Sequence, residues 1–158
     1  MLKRTNAQGF SLIELLIVVA IIGIIAAIAI PNLLNAIDRS KQKRTMADMR
    51  SIGTACEEYA IDNQFYPNTS GTRAALTANG AVTLALQSGY IKIVPLQDGW
   101  NWSIEYGSTT GGTGYTIVSP GKDGPPSAAL ATGQTQNFNC EIAFMQGQFI
   151  EYPQGIQT

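Results

Sequence analysis

The sequence predicts an α+β fold in which one long N-terminal helix packs on a small antiparallel sheet. Three features carry this. Residues 10–30 are an unbroken apolar run, and an apolar stripe at helical spacing extends the same helix to about residue 63. The second half then holds two stretches of period-two alternation, each turning back on itself. A chain of 158 residues suits one domain of ordinary size. A net charge of −1 lacks the basic excess of a nucleic-acid binder, so no nucleic-acid partner is expected. With no histidine and only two cysteines, Ser-His-Asp and Cys-His nucleophile pairs and a four-thiolate zinc site are excluded.

The run FSLIELLIVVAIIGIIAAIAI holds one charge, Glu14, and as a helix would rise roughly 31 Å, enough to span a bilayer core. Before it stands the leader MLKRTNAQG, with Lys3 and Arg4. After it comes Pro31-Asn32 instead of the small-residue cleavage site of a secretory signal peptide, so the run is expected to stay in the mature protein. Charge counting opposes export of the C-terminal part, because Arg39, Lys41, Lys43, Arg44 and Arg50 outnumber the two basic residues before the span. Glu14 is costly inside a membrane helix and is therefore a functional candidate. Gly23 weakens the helix and Pro31 removes one of its hydrogen bonds, which makes the stretch between them its weak part.

Gly9-Phe10-Ser11-Leu12-Ile13-Glu14, followed by apolar residues to Pro31, resembles the class III leader of type IV pilins and pseudopilins. The resemblance implies a pilin-like fold. It implies cleavage by prepilin peptidase between Gly9 and Phe10, and N-methylation of Phe10. It also implies assembly through Glu14, paired with the N-terminal amine of a neighbouring subunit's Phe10. The expected organisation is a cleaved leader at 1–9, a transmembrane and filament-core helix at 10–30, and a periplasmic head at 31–158. The family's topology, with a single pass of the inner membrane, is set above the charge count.

Residues 38–44, DRSKQKR, contain no apolar side chain and are expected to be solvated all round. Met46, Met49, Ile52, Cys56, Tyr59 and Ala60 then form a stripe that packs on the head as core. Asp62-Asn63-Gln64 and Tyr66-Pro67 end the helix. A loop at 68–80 is expected to hold a helical turn at 73–78, and a short helix is expected at 81–88 before Gly89. Trp102–Tyr106 and Tyr115–Val118 form a hairpin around the Gly/Ser/Thr tip 107–114. Residues 121–138 read as a long surface loop. Cys140–Phe144 and Gln148–Tyr152 form a second hairpin across Met145-Gln146-Gly147, giving four antiparallel strands in all.

The head extends the resemblance. Tyr59-x-x-Asp62-Asn63, Tyr66-Pro67, Gly89-Tyr90-Ile91 with Pro95, Asp98-Gly99-Trp100 and Ser119-Pro120-Gly121-Lys122-Asp123-Gly124 are similar to the major pseudopilins of type II secretion. There the last motif opens a calcium-binding loop. The resemblance implies Asp123 and the Pro120 carbonyl as ligands, with Glu141, Asn137 or Asn139 in place of the further aspartates this chain lacks. Calcium wants about six to eight oxygens; the other reading is a loop turn at Asp123-Gly124.

Other chemistry fails on spacing. Gly121-Lys122 lacks the glycine and the hydroxyl residue of a phosphate loop, because Thr116 and Asp123 stand there. Trp100, Trp102, Tyr106 and Tyr115 read as core and cross-strand packing before they read as a binding platform. Asp98, Glu105 and Glu141 have no acid-base spacing, so no enzyme emerges. Cys56 and Cys140 either form one disulfide closing an 84-residue loop, contributing ~4–5 kcal/mol by the chain-entropy model, or are two buried thiols. Residues 39–50 carry five basic residues and one acidic, whereas 51–158 carry three basic and eight acidic. A basic neck under an acidic head suits contact between staggered subunits.

The expected function is a structural subunit that polymerises into a type II secretion pseudopilus-like filament after leader cleavage. Its partners are expected to be identical subunits, prepilin peptidase, minor pilins or pseudopilins, and an inner-membrane assembly platform with a separate ATPase. The alternative is the major pilin of a type IV pilus serving adhesion, twitching motility or DNA uptake. A reading from another class is a signal-anchored periplasmic glycan-binding module.

Overall fold

Local sequence accounts for where the long helix starts. α1 (Leu12–Asn63) opens with Ser11-x-x-Glu14, a capping box. The Ser11 N–H donates to the Glu14 carboxylate at 2.8 Å and the Ile13 N–H to Ser11 Oγ at 3.3 Å. In this computed structural model, which describes residues 9–124, 130–154 and 157, the chain divides into two compact units, Met1–Ala36 and Ile37–Thr158.

In the first unit every large apolar side chain from Phe10 to Leu34 is exposed, Leu12 at 87%. The helix is long and apolar enough to cross a membrane. It continues without a break through Gly23 and Pro31. Pro31 withholds the N–H that would reach the Ala27 carbonyl, and the Asn32 amide donates to the Ile28 carbonyl at 3.0 Å.

In the second unit, Met49, Ile52, Ala55 and Cys56 of α1 are buried against a six-stranded sheet. The strands are β1 (Ala74–Ala75), β2 (Glu105–Ser108), β3 (Tyr115–Ser119), β4 (Gly133–Thr135), β5 (Ile142–Met145) and β6 (Gln148–Pro153). Their order is β1-β2-β3-β5-β6-β4. The helix α2 (Ala81–Gln87) adds Val82 and Leu86 to the core. Gly53 is required where α1 meets the sheet, since a Cβ there would overlap the Phe144 ring. Glu57 ties helix to sheet by accepting the Tyr66 hydroxyl at 2.8 Å and the Tyr115 hydroxyl at 3.0 Å. The β5–β6 turn has Gln146 and Gly147 at φ 46° and 85°, the primed geometry that matches strand twist.

Four expectations change. The sheet is mixed, because β4 lies parallel to β6, Gly133 opposite Glu151, inside the stretch read as loop. Residues 73–78 are not a helical turn: Ala74–Ala75 pair with Tyr106 and Glu105, and the Leu76 N–H donates to the Ile104 carbonyl at 2.8 Å. Edge pairing overrides local helix preference there. Both hairpins start later than expected: β2 at Glu105, with Trp102, Ser103 and Ile104 outside it, and β5 at Ile142, with Cys140 and Glu141 outside it. Residues 38–44 are not solvated all round, since Asp38 and Gln42 are buried.

Candidate functional site

Two sets of residues carry the functional reading, and each lies within one unit. In the first, Gly9 and Phe10 precede the cap, with Phe10 84% exposed and open space around Gly9. Glu14 is exposed one turn further on, its carboxylate held by the Ser11 N–H. The helix N-terminus carries partial positive charge, so this is a favourable place for an anion. The arrangement holds a carboxylate ready near the start of an apolar helix.

In the second unit the two head motifs converge on the first polar turns of α1. Asp98, almost fully buried, accepts the N–H groups of Trp100 and Trp102 through Oδ1, both at 2.9 Å. Its Oδ2 accepts the Ser119 hydroxyl at 2.8 Å, joining Asp98-Gly99-Trp100 to the loop after β3. The Gly99 N–H donates to Thr45 Oγ1 at 2.8 Å. Gly99 lies so close to the Lys41 backbone that a Cβ would stand 2.6 Å from the Lys41 carbonyl oxygen. Asp38 accepts the Trp100 indole N–H at 3.1 Å and the Lys122 ammonium at 2.9 Å. Burial alone would raise the pKa of the Asp38 carboxyl. The hydrogen bonds from Lys122 and Trp100, with the charges of Lys122 and Lys41, outweigh it and hold the carboxyl below the usual range. This cluster is a clasp that fixes the loops to the helix.

The calcium expectation rests on Asp123 and the Pro120 carbonyl, with Glu141, Asn137 or Asn139 completing the set. Asp123 is exposed, and among the described residues no group of three or more His, Cys, Asp or Glu side chains comes together. The Asn137 carboxamide oxygen already accepts the Asn139 N–H at 3.0 Å, and the Phe138 carbonyl accepts the Lys122 N–H at 3.0 Å. Between 120 and 141 the sequence offers two carboxylates, Asp123 and Glu141, where calcium usually takes about six to eight oxygens in all. Residues 125–129 of this loop lie outside the described residues.

The cysteines are free thiols rather than a bridge. Cys56 is buried on the helix face beside Tyr106, and burial pushes its thiol up to about 12, which makes it inert. Cys140 is half-buried in the turn before β5, its carbonyl packed on Gly121. The aromatic platform is not assembled either. Tyr106 and Tyr115 are buried core rings stacked at 6.2 Å, and the Trp100 indole is spent on Asp38. The open groove of about 680 Å³ beside the Gly-rich tip is lined by none of these four rings, and in its wall Arg73 pairs with Glu105 at 2.7 Å.

Sequence reasoning placed no carboxylate in the interior, yet Asp38, Asp98 and Glu151 are buried. Glu151 on β6 is 3% exposed, and its Oε2 has no hydrogen-bond partner among the described residues. Burial raises the pKa of this carboxyl, the charge of Glu141 raises it further, and the Ala131 N–H offsets only part. A carboxyl whose pKa is higher folded than unfolded contributes stability below the unfolded value and loses it as pH rises through the folded one. Glu151→Gln is therefore expected to raise the melting temperature at neutral pH and to change it little near pH 4, about the unfolded carboxyl value. Thermal unfolding followed by circular dichroism at the two pH values checks this.

An exposed apolar helix, capped by a serine and a glutamate and continued into a clasped α+β head, defines a pilin-type subunit. Comparison with known proteins narrows the class. A family model for the type II secretion system protein G matches residues 32–141, and one for the prokaryotic N-terminal methylation motif matches residues 4–30. The chain is 32% identical to the type II secretion system core protein G of Klebsiella michiganensis, over 78% of this chain and 81% of that protein. It is similar to the core protein G of Pseudomonas aeruginosa (32%, 78% and 82%) and to that of Vibrio cholerae (33%, 78% and 79%). No solved structure matches. The chain belongs to the type II secretion system protein G family.

Proposed function

We propose that this chain is a structural subunit of the pseudopilus that supports protein secretion. One observation carries the reading: the helix after Gly9 leaves all its large apolar side chains uncovered as far as Leu34. Such a surface requires lipid before assembly and other copies of itself afterwards. Prepilin peptidase cuts between Gly9 and Phe10 and methylates Phe10, and the mature chain stays anchored in the inner membrane with its head in the periplasm. Copies then leave the bilayer and stack through their apolar helices in a heterologous, non-closing contact that yields a fibre. Glu14 leaves the Ser11 N–H to meet the amine of a neighbouring Phe10, and the basic neck meets the acidic head of a staggered copy. The stretch between Gly23 and Pro31 is where the helix yields during packing. The role is structural and not catalytic; force comes from a separate ATPase acting through the assembly platform, with minor pseudopilins as further partners. The core protein G relatives favour secretion over a surface pilus. The carrying experiment is mass spectrometry of the mature N-terminus. N-methyl-Phe10 is expected, and an intact Met1 leader on filament-borne protein would defeat the reading.

A further inference from the structure

The basic run after the apolar helix is not uniformly partnered. The Lys41 charge acts on the Asp38 carboxylate, Arg44 pairs with Asp48 at 3.6 Å, and the Arg50 guanidinium sits over the Phe149 ring at 5.4 Å. Among the described residues no carboxylate pairs with Arg39 or Lys43, one helical turn apart on the same face. Both border a cavity of about 340 Å³ closed by Gln42, Met46, Pro153 and Gln157. Gln42 and Gln157 are buried, and Gln157 Oε1 has no hydrogen-bond partner among the described residues. The cavity therefore offers two cations to an anion and one buried acceptor to a donor.

We propose that Arg39, Lys43 and Gln157 bind the headgroup of an acidic phospholipid of the phosphatidylglycerol type. The phosphodiester takes the guanidinium and the ammonium, and a glycerol hydroxyl donates to Gln157 Oε1. The position along the sequence selects a lipid over a soluble anion. The apolar stretch runs on through Leu33, Leu34 and Ile37, and residues 12–37 of α1 rise roughly 39 Å, close to the thickness of a bilayer with its headgroup layers. Arg39 and Lys43 come immediately after, at headgroup level. Basic residues there are attracted to anionic lipid, which gives the run a use on the face that charge counting disfavours. This inference rests on membrane insertion of the helix and not on filament formation.

The test uses the full chain as a monomer in nanodiscs of phosphatidylcholine, with or without phosphatidylglycerol, released for native mass spectrometry. The wild type is expected to retain phosphatidylglycerol over phosphatidylcholine by roughly 30-fold, from two basic residues at a lipid surface. Arg39→Gln with Lys43→Gln should abolish that preference, Arg39→Lys with Lys43→Arg should keep it, and Gln157→Leu should weaken it. Lys92→Gln, a basic residue elsewhere on the head, should leave it unchanged. Equal retention of the two lipids by the wild type, or full retention by the double Gln variant with its circular dichroism intact, overturns the proposal. Displacement of the lipid by millimolar inorganic phosphate would overturn the lipid in favour of a free anion. A defect in assembly leaves these readouts untouched.

Discussion

Replacing Glu14 with valine is expected to abolish filament assembly while leaving the chain in the membrane. Among the described residues, the Glu14 carboxylate accepts the Ser11 N–H, at 2.8 Å, beside exposed apolar side chains. A charge at the centre of a membrane helix costs about 2.5–3.5 kcal/mol on insertion scales, less near the interface. Valine removes that cost, so insertion should persist or improve. Under the proposed assembly contact, valine instead removes the ion pair with a neighbour's N-terminal amine. Removing one partner of a buried pair costs about 3–5 kcal/mol because it strands the other charge, a loss of roughly 100-fold or more in subunit affinity. Glu14→Gln keeps a hydrogen-bonding group but not the charge and should assemble poorly, ahead of valine. Electron microscopy of sheared filaments, with membrane fractionation of the same cells, reads both halves. Normal filaments from the valine variant would sink the role given to Glu14.

The long helix was legible because its signal is local and repeated. The apolar run and the stripe from Met46 predict an end near 63, and α1 ends at Asn63. There the Asn63 amide donates back to the Tyr59 carbonyl and Gln64 takes φ 67°. The β5–β6 hairpin was legible from its glycine turn, although β5 runs Ile142–Met145 and not Cys140–Phe144. The edge strands β1 and β4 were not. They are two and three residues long, and their pairing depends on partners distant in sequence, Ala74 on Tyr106 and Gly133 on Glu151. Glu14 stood out because a lone carboxylate in an apolar run is conspicuous. The clasp could not, because a charged residue reads as solvated unless its distant partners are known. Asp38 is buried by Trp100 and Lys122, 62 and 84 residues away. The string Asp98-Gly99-Trp100 was singled out by resemblance, and only the fold assigns its aspartate a task.

That task gives the head its largest expected loss. Asp98→Ala leaves two backbone N–H groups and the Ser119 hydroxyl without their acceptor in a buried place. Unsatisfied buried donors cost about 1–3 kcal/mol each, partly recovered by relaxation and water, so a total near 3–4 kcal/mol is expected. On a domain of this size that is a fall of roughly 10 °C or more in melting temperature. Asp98→Asn keeps one acceptor oxygen and should lose less. Asp38→Ala should also lose less, about 1–2 kcal/mol, because the Lys122 side chain it abandons is half exposed and can turn to water, and the stranded Trp100 indole N–H belongs to a half-buried residue. Its contribution is further separable by pH. The folded Asp38 carboxyl titrates below its unfolded value, so its stability is present above about pH 4 and fades as pH falls through the folded value. The difference between wild type and Asp38→Ala should therefore shrink in acid. Thermal unfolding of the full chains in detergent, across that pH range, ranks the three variants. If Asp98→Ala melts with or above Asp38→Ala, the clasp is not organised by Asp98, and the convergence of the two motifs on α1 must be held by the close packing of Gly99 and Gly121 instead.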